Sequence, residues 1–448
     1  MKIDNIEIKN FKGFEECNVE FHPKLNLFIG NNASGKTTLL KAILKSINNF
    51  TSRIVQAQSY FEDLEFSSVD INYLSKSSTI LAKFSNFTIL NLDFKTYLIT
   101  GNSEQESIKL RDISYQEVNE VSNIFNSNTQ KNSITIPIFK FYPANRGSIS
   151  YSEVYSNNVY NLSQLETWSN IYQNNLSYSK FFHWFFENET NELRLQRDSQ
   201  DFGIQSPALR DVRKAVETAF QALNFGNYKL LSKQIARQGN SKLLPTLVLL
   251  NLDTKKEEFI DNKSDGEKAI IALVADIAYN LSIAKDFSND DDFLLSPGIV
   301  MIDEIETHLH PKWQREIVPL LTNLFPNIQF FITTHSPQVL SSVNSESIFV
   351  CENFKVKNIK IKTKGEDTNS ILKYVFNTTD RPTNYIKLLD EFDDLMTNNS
   401  NVKDLKKIIE EIELLYDEDS SLGTSNLIEE LKIKLSAYEF DKEYEKSN

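Results

Sequence analysis

The segment Gly30-Asn31-Asn32-Ala33-Ser34-Gly35-Lys36-Thr37 constrains this chain more than any other. It fits G-x-x-x-x-G-K-[ST], a glycine-rich loop whose backbone N–H groups cradle phosphates. Leu25 to Ile29, just before it, is an apolar run of strand length. Just after it, Thr38 to Ile47 sets Leu39, Leu40, Ile43, Leu44 and Ile47 at helical spacing. Strand, loop and helix start in that order gather N–H groups at the positive end of a helix dipole. The pattern assigns Lys36 to the β- and γ-phosphates of a nucleotide and the Thr37 hydroxyl to Mg²⁺. Gly30, Asn31, Asn32, Ala33, Ser34, Gly35, Lys36, Thr37 and Thr38 are therefore the candidate nucleotide contacts. A glycine loop that meets the pattern by chance is the alternative.

The 448 residues suffice for roughly two or three domains. With 40% hydrophobic and 24% charged residues, the chain reads as globular. No apolar stretch approaches the length of a bilayer crossing, and Met1-Lys2-Ile3-Asp4 opens without an apolar signal core. No membrane is expected. Cys17 and Cys351 read as isolated thiols in a reducing cytoplasm rather than as a disulfide or metal site. A net charge of −13 excludes a wholly basic nucleic-acid binder, although a local groove can still be positive. Arg210, Arg213, Lys214, Lys229, Lys233, Arg237 and Lys242 form the one extended basic stretch. It reads as solvated surface, with nucleic-acid contact as the alternative.

Along the chain, Ile3, Ile6 and Ile8 open a strand, and Val19 and Phe21 alternate on a second. Ile134 to Phe141 is a strand candidate. Leu162 to Gln196 reads as a helix whose aromatic block, Phe181 to Phe186, is core or a self-association contact. Ser206 to Leu223 is a helix, and Tyr228 to Ile235 and Leu244 to Leu252 form a strand pair. Residues 264–352 return to α/β character. From about residue 365 the chain turns acidic and helical, with Leu405, Ile408, Ile409, Ile412 and Leu415 at helical spacing. That region is either a small helical domain with a solvated acidic face or a docking platform for a basic partner.

Three further elements bear on chemistry. Gly298 to Ile302 is an apolar strand that ends in Asp303 and Glu304. A buried strand fixes such residues at the sheet edge, where Asp303 can hold Mg²⁺ through water and Glu304 can deprotonate an attacking water. Thr333-Thr334-His335-Ser336-Pro337 ends a second strand and sets His335 to sense a γ-phosphate. Ser264-Asp265-Gly266-Glu267-Lys268 precedes an apolar helix, so that Ser264, Gly266 and Glu267 offer another anion-binding helix start.

In this order the elements resemble the ABC-type heads of the RecF, SMC and OLD ATPases. Ile6-Glu7-Ile8-Lys9-Asn10-Phe11-Lys12-Gly13-Phe14 is similar to their opening strand and turn, which implies that Lys12 approaches the phosphates. Asp303 to Gln314 and Phe325 to Pro337 resemble a narrower group, the ATPase subunit of Septu antiphage systems and its retron-associated versions. The resemblance implies an α/β fold: an ABC-type head with a mixed sheet and phosphate loop, an inserted helical lobe and an acidic helical C-terminal region. The expected divisions are 1–150, 151–225, 226–352 and 353–448. Ser264 to Glu267 then form the signature loop that reads the γ-phosphate held by an opposite subunit. Two chains would sandwich two ATP molecules head to tail, with Glu304, His335 and Lys36 as catalytic residues and Thr37 and Asp303 on the metal. Lys263 departs from the family, which carries leucine there. Asn145 and Arg146 sit where such heads couple nucleotide to the inserted lobe.

Neither a Toprim arrangement of acidic residues nor a clustered-histidine HNH site is visible. The chain is thus not expected to cut nucleic acid itself, and the resemblance to the Septu group implies a separate effector nuclease as partner, of HNH type, with a reverse transcriptase and nucleic acid if the system is a retron. A RecF-like DNA-repair ATPase and a transporter ATPase subunit are the rival readings. The long insertion between Lys36 and Ser264 counts against the transporter.

Overall fold

The structure is a computed structural model. It describes residues 1–55, 68–85, 96–102, 105–111, 135–145, 166–169, 178–236, 243–285, 292–358, 362–376, 383–398, 401–415 and 424–447, with short islands at 88–89, 92–93, 171 and 378. Arg146, Arg237 and Lys242 lie outside the described residues. Two compact units emerge, Met1–Thr368 and Asn369–Asn448.

The first unit is α/β and built on a six-stranded mixed sheet. Its order is Lys355–Asn358, Ile348–Glu352, Leu25–Ile29, Ile328–Thr333, Gly298–Ile302 and Ile138–Tyr142. Every pairing is parallel except the hairpin of the first two strands. Parallel strands covered on both faces read as unbroken apolar runs. Accordingly, all five residues of Leu25–Ile29, Gly298–Ile302 and Ile138–Tyr142 are buried. Phe21 anchors this core, edge-on to Phe331 at 4.9 Å between ring centroids, and Phe28 packs on Phe349 at 5.4 Å.

An antiparallel sheet in the order Phe14–Glu20, Lys2–Phe11, Ser77–Ser85, Thr96–Asn102 and Gln105–Arg111 supplies the alternating strands expected at the N-terminus. A third sheet joins Tyr228–Ala236, Leu243–Asn251 and Glu257–Phe259. The helix expected from Leu162 is seen over Tyr178–Ser199 and, separately, over Glu166–Ser169. Its aromatic block is core. Phe181, Phe182 and Phe185 are buried, and Trp184 packs on Tyr279 of the helix Asp265–Ala284 at 5.2 Å.

One reading of the basic stretch changes. Arg213 is buried rather than solvated, donating to Glu189 and Glu192 at 2.7 Å each. Arg210 pairs with Asp211, Lys214 with Asp292, and Lys233 with Glu257. Asp211 is adjacent in sequence, but Asp292, Glu257 and the two acids on Arg213 come from other segments, which charge counting along a single segment cannot detect.

In the second unit, the helices Thr383–Thr397, Val402–Leu415 and Thr424–Ser447 pack around Phe392, Leu405, Ile408, Ile409, Ile412, Leu431 and Leu435. Among the described residues, no helix is long and apolar enough to cross a membrane.

Candidate active site

The carboxyl ends of parallel strands form the ligand edge of such a sheet. Here that edge carries the phosphate loop after Ile29, Asp303 and Glu304 after Ile302, and His335 shortly after Thr333. The loop needs its glycines. Gly30 and Gly35 have φ of +146° and +107°, and a Cβ on Gly30 would overlap the Cys351 carbonyl. The helix Lys36–Val55 starts directly behind the loop. Lys36 is buried, and its ammonium donates to the carbonyls of Gly30 and Asn31 at 2.9 and 3.0 Å.

Thr37 and Asp303 meet although 266 positions separate them. The Thr37 hydroxyl donates to the Asp303 carboxylate at 2.9 Å. Thr333 completes the cluster by donating to Asp303 Oδ1 at 2.5 Å and accepting the Glu304 N–H at 2.8 Å. The Asp303 N–H donates to the Tyr142 carbonyl, and the Tyr142 hydroxyl donates to Asp276 at 2.7 Å. Asp276 lies in the helix that follows Ser264, so Tyr142 ties the carboxylate strand to that helix.

Burial lowers the pKa of Lys36, while Cys351, Asp303, Glu304 and Glu306 act in the opposite direction. Burial, then the Lys36 charge, also lowers the pKa of His335, against Glu306, Glu304 and Asp303. His335 is therefore held as the neutral imidazole near pH 7. The Cys351 thiol is pushed up to about 12 and Cys17 to about 11, in both cases by burial, which leaves them unreactive.

Ser264 caps the helix Asp265–Ala284 in a capping box with Glu267, whose carboxylate accepts the Ser264 N–H at 2.9 Å. Gly266 sits where a Cβ would meet the His308 carbonyl and Trp313, so this helix start is packed against the turn that follows Glu304. His310 caps the helix Pro311–Leu324 through Nδ1, which accepts the Lys312 N–H. Lys263 finds its own partners: Glu258 at 2.7 Å and the Tyr228 ring at 4.5 Å. Burial alone would lower its pKa, but Glu258 and Tyr228 hold it above the usual value.

Lys12 does not point freely at the loop. Its ammonium lies 3.3 Å from Asp70, a buried carboxylate that also takes Lys45 at 2.8 Å. Asp70, Thr333, Tyr142 and Glu306 were given no role in the site by the sequence. Glu306 accepts the His335 N–H at 2.6 Å. Of the four, only Thr333 and Glu306 lie within motifs that could have flagged them.

The family described as "AAA domain, putative AbiEii toxin, Type IV TA system" matches residues 25–341. The "Retron Ec83 probable ATPase" of Escherichia coli is 28% identical over 445 residues, covering 88% of this chain and 80% of that protein. The "Septu protein PtuA" of Bacillus thuringiensis is 22% identical over 455 residues, covering 98% of each. A crystal structure of an SMC head bound to the C-winged helix domain of ScpA matches with a TM-score of 0.45 at 16% identity, over 81% of this chain and 98% of that one.

Proposed function

The chain belongs to this AAA-domain family, and on that premise we propose that it binds and hydrolyses ATP and thereby controls a partner effector nuclease in cytoplasmic antiphage defence. One observation carries the reading. Asp303 is shared by the Thr37 hydroxyl of the phosphate loop and the Thr333 hydroxyl of the next strand, while Glu304 hangs from that same Thr333. The likeness to the retron and Septu relatives supports the defence setting.

The site's groups have distinct tasks. Lys36, now on loop carbonyls, turns to the β- and γ-phosphates of ATP. Glu304 orients and deprotonates the attacking water. Neutral His335 donates to the γ-phosphate. Thr37 and Asp303 offer hard oxygen donors 2.9 Å apart, a set that suits Mg²⁺. When bound, that ion would neutralise phosphate charge. Ser264, exposed at its helix start, completes the site of a second copy in a head-to-tail dimer. Gly266 and Glu267 shape that helix start.

The four-part division of the chain at 150, 225 and 352 belongs to the same proposal, as does the absence of a nuclease site of its own. The RecF-like rival would bind DNA through Arg210, Arg213 and Lys214, and of these Arg213 is a buried ion pair.

Glu304→Gln tests the assignment. The variant should bind ATP, hydrolyse it at least about a hundredfold more slowly than the parent, and accumulate as ATP-bound dimers. Parental turnover in the variant would remove Glu304 as the base.

A further inference from the structure

The hairpin turn Asn353–Phe354 joins Ile348–Glu352 to Lys355–Asn358 at the same sheet edge as the phosphate loop. Both turn residues have positive φ, +48° and +57°. That pair is the signature of a two-residue type I′ turn, whose second position is ordinarily glycine. Phenylalanine pays a steric penalty there that glycine escapes. Such strain persists only where the surroundings over-determine it.

The surroundings here belong to the nucleotide site. The Phe354 N–H donates to the Ser34 carbonyl at 3.1 Å. The Phe354 ring lies against Gly13 and Gly35 so closely that a Cβ on either would press into it. The ring also packs edge-on to Phe14 at 5.3 Å. Gly13 follows Lys12, and Gly35 precedes Lys36. One ring is thus wedged between the turn that bears Lys12 and the loop that bears Lys36.

We propose that Phe354 is a positioning residue for nucleotide binding, its ring and backbone N–H holding the phosphate loop and the Lys12 turn in a single arrangement. This rests on the ATP-site reading above. If Phe354 served only the hairpin, glycine would serve it better. If it positions the loop, glycine improves the turn and loosens the site.

The experiment is titration of Mg²⁺-ATP by calorimetry into the parent and into Lys36→Ala, Phe354→Gly, Gly13→Ala and the double variant Gly13→Ala/Phe354→Gly. Each nucleotide-free melting midpoint is recorded alongside. Phe354→Gly should bind ATP about tenfold or more weakly, since small misplacements near a reacting centre are costly. Gly13→Ala, which pushes the ring away, should weaken binding similarly. In the Phe354→Gly background the Gly13→Ala change has room and should add little, giving a non-additive cycle. Parental affinity in Phe354→Gly overturns the proposal whatever its midpoint. If that variant does not fold, parental affinity in Gly13→Ala overturns it instead. Equal ATP binding by the parent and Lys36→Ala would sink the ATP-site reading itself, a separate outcome.

Discussion

Thr333 holds two neighbours with one hydroxyl, donating to Asp303 and accepting from the Glu304 N–H. Valine keeps its shape and removes both bonds. Thr333→Val should cut Mg²⁺-dependent hydrolysis about 10- to 100-fold, the usual cost of losing a supporting partner of a metal ligand. Steady-state rates across a magnesium series check this, and weaker Mg²⁺ dependence should accompany the loss. His22 gives a pH prediction at the same scale. Its Nδ1 accepts from the Lys24 and Leu25 N–H groups at the mouth of the phosphate-loop strand, and burial lowers its pKa below 6.5. A histidine with a depressed folded-state pKa contributes stability above the unfolded value, and that stability is lost as pH falls. The melting midpoint should therefore drop between pH 7.5 and 5.5, and by less in His22→Gln. Equal drops would show that Nδ1 does not matter.

At the scale of elements, the register of the parallel sheet does what no local pattern announces. The phosphate loop, the Asp303-Glu304 pair and the strand before His335 were legible because each is a short motif at a strand end, and the strands fall at Leu25–Ile29, Gly298–Ile302 and Ile328–Thr333. Tyr142 and Asp70 were not legible. Their importance comes from partners 134 and 25 positions away, Asp276 and Lys45, brought together only by packing. Arg213 was misjudged for the same reason. Its acids sit on the neighbouring helix Tyr178–Ser199, invisible to a count of charges in its own segment. Both ties can be tested by chemical denaturation. Tyr142→Phe leaves the buried Asp276 without its hydroxyl donor and should cost about 1–3 kcal/mol. Arg213→Met leaves Glu189 and Glu192 buried without their cation and should cost about 3–5 kcal/mol. A change below about 0.5 kcal/mol in either variant would mean that solvent reaches those carboxylates.

For the whole molecule, the proposed head-to-tail dimer requires that one chain carry halves of two different sites. Ser264 opens its helix exposed, while Lys36, Thr37, Asp303, Glu304 and His335 gather at the sheet edge. Gly266 packs against the His308 carbonyl, in the turn that starts at Glu304, so the two halves are mechanically joined within one subunit. ATP should then drive association, because a ligand that completes its contacts only in the dimer stabilises the dimer. The proposed nuclease partner would read that assembly. The measurement that bears most directly on this is complementation between two disabled chains. Lys36→Ala removes the phosphate contact, and Ser264→Arg blocks the exposed helix start at the cost of a cap worth about 1 kcal/mol. Each variant alone should be inactive in ATP hydrolysis. Mixed in equal amounts, half the dimers pair unlike chains and hold one intact composite site of two, so activity should return to about a quarter of the parental rate. A mixture as inactive as its components, with heterodimers present by mass, would contradict the shared site.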